Sequence, residues 1–364
     1  EVLFSEEEVE RVIRAMPLYK APGLDGFTRP FYTSCWQIIK ADLMRALQAF
    51  YEGDMRGLLA INKAIVTLLP KKDGAVDVKD FRLVSMEHGI MKIIDKILAA
   101  RTAVELPALV GKHQSAFVKG RSIHDNFMLA QCRAWMLHAL KTPTVMIKLD
   151  ISKAFDSVQW PFLVEVMRYM VFSTKWIDWI CGLLATLSTK IMVNGVPGEP
   201  IYNCQGLRQG DPVSPMLFIL TMEPLQRMFG VAIERGFLSP LTSRGLTKRV
   251  SMFTDDVMIF LKPDVEDLTT CAALLRLFGE ASGLRVNLQK SAALPIRCNS
   301  EIMERVVQVL GCPQGSYPRR YLGLPLTLRK QTAAQLMGMV DQLARCLPRW
   351  MAANMPKSGR MTLV

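Results

Sequence analysis

Two short apolar segments carry acids where a buried strand tolerates none. TVMIKLDI places Asp150 at the end of an apolar run, and SMFTDDVMIF sets Asp255 and Asp256 in the middle of another. An unpaired buried carboxylate is costly, so each segment demands either exposure or a counter-charge at that point. The first reads as a strand, and the second as two strands around a tight turn. An Asp-Asp pair at a turn is most often two residues capping their own backbone. The alternative is that something cationic belongs there. If the segments lie side by side in one antiparallel sheet, the three acids meet at one edge, where neighbouring carboxylates raise one another's pKa. A divalent cation relieves that cost. Magnesium suits it, because it takes hard oxygen ligands, commonly one or two carboxylates plus substrate phosphates. Two such ions about 4 Å apart stabilise the attacking and leaving oxygens of an in-line phosphoryl displacement.

The remaining chain supplies both helices and strands. A serine cap and early acids predict an amphipathic helix over SEEEVERVIRAMPL. Helical spacing also runs through Cys35 to Tyr51, HGIMKIIDKILAARTAVEL, Ile123 to Leu140, WPFLVEVMRYM, STKWIDWICGLLATL, PMLFILTMEPLQRMF and the glycine-closed DVEDLTTCAALLRLFGEASGL. NKAIVTLLPKKDG reads as a strand entering a basic turn, and TKIMVNG as a strand ending in an Asn-Gly turn. RVNLQKSAALPI and RRYLGLPLTL are further strand candidates, while YKAPGLDGFTRPFY and GLRQGDPVSP read as loops. This mixture without strict alternation predicts an α+β fold rather than a doubly wound sheet.

The net charge of +12 over 364 residues favours a polyanionic partner, nucleic acid or an acidic membrane face. The apolar runs read as too short or too often broken by charge to span a bilayer, so no membrane is expected. Eight scattered cysteines (Cys35, Cys132, Cys181, Cys204, Cys271, Cys298, Cys312, Cys346) form no CxxC pair, which argues against a zinc site or disulfide framework and for a reducing compartment. His88, His113, His124 and His138 show no metal-ligand spacing, and Trp176 and Trp179 read as core. A chain that opens on Glu1 and stops at Val364 reads as a piece of a longer protein.

FTDD resembles the Phe/Tyr-x-Asp-Asp box of reverse transcriptases, and KLDISKAFDSVQW resembles their first palm motif. GLRQGDPVSPMLF is similar to the third, GLRVNLQKS to the lysine-bearing motif beyond the hairpin, and YLGLPL to the primer grip. Upstream, KAPGLDGF, LLPKKDGAVDVKDFRLVS and HQSAFVKGRSIHDN are similar to the finger motifs of plant-like, LINE-type non-LTR retrotransposons. The likeness implies a right-hand polymerase fold, its antiparallel palm sheet packed on helices. It implies an N-terminal extension and fingers over 1–140, a palm over 141–326 with a finger-like helical insertion near 160–190, and the start of a thumb over 327–364. It implies an RNA-directed DNA polymerase, a nucleotidyltransferase that extends a DNA 3′-hydroxyl primer on an RNA template with dNTPs. Target-primed synthesis, two Mg²⁺ ions with Mn²⁺ as the alternative, an upstream endonuclease in the same polyprotein and a nuclear location follow from the same likeness. A catalytically inactive relict that binds nucleic acid, and a metal-dependent nuclease using the same acids, are the competing readings.

On these motifs the resemblance assigns Asp150, Asp255 and Asp256 to catalysis and metal binding, with the backbone carbonyl of Ile151 completing a metal shell. It places Phe155 as the aromatic gate against a ribose 2′-hydroxyl, Gln209 and Gly210 along the nucleotide, Lys71 at the triphosphate and Arg82 near nucleotide or template. Lys290 takes the position of a general acid for pyrophosphate, and Tyr321, Leu322 and Gly323 that of the primer grip. Lys119, Arg121, Arg319 and Arg320 are candidates for tracking phosphates. Three residues depart from the family pattern. Leu83 stands for a usual proline and loosens a rigid turn, Val171 stands for a common glycine and is strained if φ is positive there, and Thr254 stands for alanine beside the acids.

Overall fold

The structure is a computed structural model and describes residues 2–18, 22–77, 80–242 and 249–330, with Met337 and Asp341. Most of the expected thumb thus lies outside the described residues.

Four helices come first: α1 (Glu6–Arg14), α2 (Arg29–Ser34), α3 (Trp36–Tyr51) and α4 (Arg56–Ile61). The hairpin β1 (Lys63–Pro70) and β2 (Phe81–Glu87) leads to α5 (Gly89–Leu109), α6 (Ile123–Ala139) and β3 (Thr144–Leu149). Next stand α7 (Trp160–Tyr169), α8 (Thr174–Ala185), β4 (Ser188–Val193), β5 (Val196–Pro197), β6 (Ile201–Tyr202) and α9 (Ser214–Glu234). The chain continues through β7 (Val250–Phe253), β8 (Asp256–Leu261), α10 (Val265–Ser282), β9 (Ala292–Ile296), α11 (Ser300–Leu310), β10 (Arg319–Tyr321) and β11 (Leu324–Leu326).

Two sheets organise these elements. One is four-stranded, in the order β7-β8-β3-β9, with antiparallel neighbours throughout. Its strands alternate between two buried faces. Met146, Met258, Phe260, Leu294 and Ile296 pack against Ala130, Ala134 and Leu137 of α6. Val145, Ile147, Leu149, Val257 and Ile259 join the main core, which also takes in residues of α9 and α10. A strand covered on both sides reads as a nearly continuous apolar run, which is why TVMIKL and VMIFL lack clean alternation. The second sheet pairs β1 with β2 antiparallel and with β4 parallel, and β5 and β6 both pair with β4.

Helix α1 is capped as expected, Ser5 Oγ accepting from Glu8 N at 3.2 Å. Arg101 of α5 grips Glu8 at 2.7 Å and holds α1 against it. Trp179 of α8 is buried among Phe4, Phe50 and Tyr51, so the tryptophans serve the core. Several expectations need correction. The last four residues of the presumed loop, from Arg29 to Tyr32, are helical and open α2, with Pro30 in its first turn, where the missing N–H costs nothing. RVNLQK does not extend the β9 strand; its Val286 makes only an isolated bridge to Ile151. RRYLGLPLTL is a hairpin, broken by positive φ at Leu322 and Gly323. Helix α9, at 21 residues, is long and apolar enough to cross a membrane, contrary to the expectation for apolar runs. Its Leu217, Phe218, Ile219, Leu220 and Met222 are buried in the protein instead.

Two of the departures come to rest in the backbone. Leu83 lies not in a turn but in β2, paired with Leu68. Val171 adopts φ 61° just after α7, the left-handed conformation that crowds a Cβ. Its side chain is exposed, so nothing offsets the strain. Val171→Gly is expected to stabilise the fold by roughly 1–2 kcal/mol, read as a higher urea midpoint at unchanged slope; an unchanged or lower midpoint contradicts the strain.

Candidate active site

The register of the four-stranded sheet decides where the acids go. Leu149 pairs with Val257 across β3 and β8, and Phe253 with Asp256 across the β7–β8 hairpin. One step beyond Leu149, Asp150 comes opposite Asp256, with Asp255 in the turn beside them. Asp255 is held above the usual carboxylate range, chiefly by burial. Its own backbone hydrogen bond opposes the shift, the charges of Asp256 and Asp150 add to it, and Lys148 opposes it. The three acids therefore act on one another at one sheet edge.

Lys148 Nζ stands 3.4 Å from Asp256 Oδ1. Asp256 thus already has a counter-ion, which leaves Asp150 and Asp255 as the pair short of positive charge. Among the described residues no three His, Cys, Asp or Glu side chains form a ready-made metal cage. A divalent cation bound through one or two carboxylates and substrate phosphates needs none, so the residues fit such an ion.

The loop after α10 braces Asp150. Ser291 Oγ accepts from Asp150 N at 3.1 Å, Asn287 N donates to Asp150 O at 2.7 Å, and Ser152 N donates to Arg285 O at 2.9 Å. Lys290 belongs to this loop, exposed, with its backbone N–H turned to Asn287. Ile151 is buried in the bridge to Val286. The hairpin is braced from the other side. His113–Ser115 runs beside β7, with Met252 N donating to His113 O at 2.9 Å. The buried Asn126 carboxamide donates to the carbonyls of His113 and Met252. Gln114 reaches the turn itself, Oε1 accepting from Thr254 N at 3.1 Å. Sequence reasoning missed these polar residues, and the HQSAFVKGRSIHDN motif was their only signal.

Phe155 is half-buried, its ring stacked on Phe218 at 4.7 Å and its carbonyl accepting from Leu207 N at 2.7 Å. The aromatic residue therefore sits beside the loop that carries Gln209 and Gly210, both exposed. Gly210 has φ 101° and open space around a would-be Cβ, so the glycine serves the backbone conformation there. Lys71 lies exposed in the β1–β2 connection, and the backbone of Arg82 pairs with Leu69, both on the second sheet. Tyr321 corrects the primer-grip expectation. Its side chain is wholly buried against the four-stranded sheet, so it supports the hairpin; at the turn Leu322 is half-buried against the same cluster and Gly323 is exposed. Arg121 is likewise no phosphate tracker, since its guanidinium donates to the carbonyls of Pro107, Val110, Gly111 and Gln114.

Near the Gln209–Gly210 loop lies a buried polar cluster that the sequence did not announce. Arg208 Nε is 3.6 Å from Glu87 Oε1, and Asp211, just before α9, accepts from Val213 N at 2.9 Å and from Ser214 Oγ at 3.1 Å. Asp95 of α5 joins Arg208 and Asp211 around a cavity of about 20 Å³, room for one water. Burial lifts Asp95 well above the carboxylate range, and the charges of Asp211 and Glu87 add to the lift against Arg208. Such a group favours the fold below its unfolded pKa of about 3.9 and loses that contribution as pH rises towards the folded value. Asp95→Asn cannot ionise. Its stability gain over the parent is expected to be near zero at about pH 4 and to grow steadily towards pH 8, measured by urea unfolding across that range. A gain independent of pH contradicts it.

The profile of the family described as "Reverse transcriptase (RNA-dependent DNA polymerase)" matches residues 69–326. The chain belongs to the reverse transcriptase family. Its relatives include the "Transposon TX1 uncharacterized 149 kDa protein" of Xenopus laevis, 30% identical over 79% of this chain and 22% of that protein. The Pol polyprotein of the R2 retrotransposable element of Nasonia vitripennis is 26% identical over 66% of the chain and 22% of its own length. This reverse transcriptase domain thus spans about a fifth of these relatives, and it is of the non-LTR retrotransposon kind. Among solved structures, apo telomerase from Candida tropicalis truncated from its C-terminal domain aligns with a TM-score of 0.47 at 15% identity, over 66% of this chain and 51% of that one. The right-hand polymerase fold expected from the motifs is the fold of this family. Its reaction is RNA-directed DNA synthesis, and its members generally use divalent metal ions.

Proposed function

We propose that this domain extends a DNA 3′-hydroxyl on an RNA template by transferring nucleotides from dNTPs, with Mg²⁺ held by Asp150 and Asp255. The observation that carries the reading is the convergence of these two acids from segments far apart in the chain, beside a loop that presents Gln209 and Gly210. Bound divalent cations would polarise the attacked phosphate and favour the primer alkoxide. The protein's part is placement. Asp150 and Asp255 present oxygens on one sheet edge, while Lys148 keeps Asp256 turned aside. The Gly210 backbone opens the loop to the nucleotide, Phe155 shapes the space for its sugar, and the exposed Lys290 is the nearby proton donor for pyrophosphate. Lys71 and Arg82 extend the same reading to the triphosphate from the second sheet, and Leu322 and Gly323 to the primer. Target-primed synthesis within a nuclear polyprotein that also carries an endonuclease belongs to this proposal.

Purified protein with Mg²⁺, an RNA template, an annealed DNA primer and dNTPs tests it. Extension supports the reading, degradation without extension points to a nuclease, and binding alone points to a relict. In the same assay Phe155→Ala is expected to admit ribonucleotides, lowering dNTP-over-rNTP preference by roughly 10- to 100-fold. Unchanged sugar discrimination removes Phe155 from the gate.

A further inference from the structure

The segment from His113 to Asn126 takes no part in the chemistry proposed above, yet its side chains converge on the hairpin that bears Asp255. We propose that Gln114 is a positioning residue for nucleotidyl transfer: its buried carboxamide holds the Thr254–Asp255 turn in the conformation from which Asp255 meets Asp150. This rests on the polymerase reading of the acids.

Thr254 has φ 55°, in the left-handed region. It is the first of two central residues in a tight hairpin turn, and only the first has positive φ, a pattern that favours glycine at that position. Threonine is β-branched and resists this backbone more than most residues. Something must hold the turn, and Gln114 does so from both sides: Oε1 accepts from Thr254 N at 3.1 Å while Nε2 donates to Thr254 O at 3.4 Å.

The clamp is itself fixed. Gln114 is buried, its backbone bridges Met252 of β7, and its carbonyl takes Arg121 Nη1 at 2.7 Å. Gln114 Oε1 also accepts from Ala116 N at 3.0 Å, so the carboxamide cannot turn freely. A strained residue next to a catalytic acid persists only where its surroundings over-determine it, and here they do. Asp255 directly follows Thr254. Relaxation of the turn would swing its carboxylate away from Asp150.

The experiment is a double-mutant cycle of Gln114→Ala and Thr254→Gly. It measures kcat and KM for dNTP, RNA-template affinity, and Mn²⁺ affinity of the metal-free protein by electron paramagnetic resonance. Gln114→Ala is expected to lower kcat by roughly 10- to 100-fold and to weaken Mn²⁺ by about tenfold, the scale of losing a group that orients a metal ligand. RNA affinity and KM should stay within about threefold, since the loss falls on kcat. Adding Thr254→Gly should restore most of both losses, because glycine takes positive φ without penalty. Independent sites would only add. An unchanged kcat, an equal loss of kcat and RNA affinity, or a double variant no better than Gln114→Ala overturns the proposal. If Gln114→Ala does not fold, Gln114→Met, which keeps the volume and removes both hydrogen bonds, replaces it in the cycle. If the parent protein does not extend primers, Mn²⁺ binding still decides: a tenfold weakening upholds the clamp and leaves only the polymerase reading overturned, whereas unchanged affinity overturns the clamp.

Discussion

Asp255→Asn is expected to reduce primer extension by on the order of 10³-fold or more, with RNA-template affinity nearly unchanged. The substitution keeps the shape of the side chain and its place in the turn, so the Gln114 contacts to Thr254 are untouched. What it removes is half of the negative charge that remains for a cation once Lys148 has paired with Asp256. Asparagine offers one neutral oxygen in place of a charged carboxylate, and a hard cation loses far more on that exchange than template binding does. In the proposed reading template binding rests on phosphate contacts of the basic side chains, which the substitution leaves in place. The apo fold should be no less stable, because a carboxylate under pressure from Asp256 and Asp150 is replaced by a neutral group. Primer extension, filter binding and thermal unfolding on one preparation check all three. Extension surviving at a tenth of the parent rate or more would remove Asp255 from the chemistry.

The contrast with Asp256→Asn sharpens the point. Asp256 is the less exposed of the two and is paired with Lys148, so its carboxylate already has a cationic partner on the sheet. The adjacent acids are chemically alike in sequence and differ only in which neighbour the register supplies.

That difference shows what the sequence could and could not reveal. The convergence of Asp150 and Asp255 was legible, because two strand-length apolar runs ending in acids have few ways to share a sheet. Lys148 could have been found by the same period-two argument, since it shares a strand face with Asp150. Helix α11 carried readable signals as well, with Asn299 Oδ1 accepting from Ile302 N at 2.9 Å and a left-handed Gly311 closing it. Strand β2 is harder. KDFRLVSME is mixed in polarity, and its strand character comes from seven paired residues on β1, a tertiary gain that local pattern does not encode. The braces of the hairpin are harder still. Nothing in a lone glutamine or asparagine tells that its carboxamide reaches a turn 140 residues later. Buried polar pairing between distant segments is set by the fold as a whole, and the motif likeness marked the segment without giving its contact.

The same limit applies to the contact whose loss should hurt stability most. Arg249, at the start of β7, is fully buried, and its Nη1 lies 3.1 Å from Asp267 Oδ2 in the first turn of α10. Asp267 Oδ1 also accepts from Ser239 N at 2.9 Å, so one carboxylate ties the approach to α10, the strand that leads to the catalytic turn and the segment after α9. Burial pulls the Arg249 guanidinium below its usual pKa, while Asp267 pulls it back. Asp267→Ala strands that guanidinium without a counter-charge and leaves Ser239 N without its acceptor. The expected cost is about 3–5 kcal/mol, the range for breaking one side of a buried pair. Replacing both partners, as in Arg249→Met with Asp267→Leu, should recover most of it, since apolar groups of similar volume carry no desolvation penalty. Urea midpoints of the parent, the single and the double variant test this. A single variant costing less than about 1 kcal/mol would mean that the pair is no stronger than a surface ion pair. A double variant no better than the single would mean that packing rather than charge holds β7 to α10. Because β7 leads into the Thr254–Asp255 turn, extension by the single variant should fail at a lower temperature than template binding does, the acids losing their edge before the basic surface disperses.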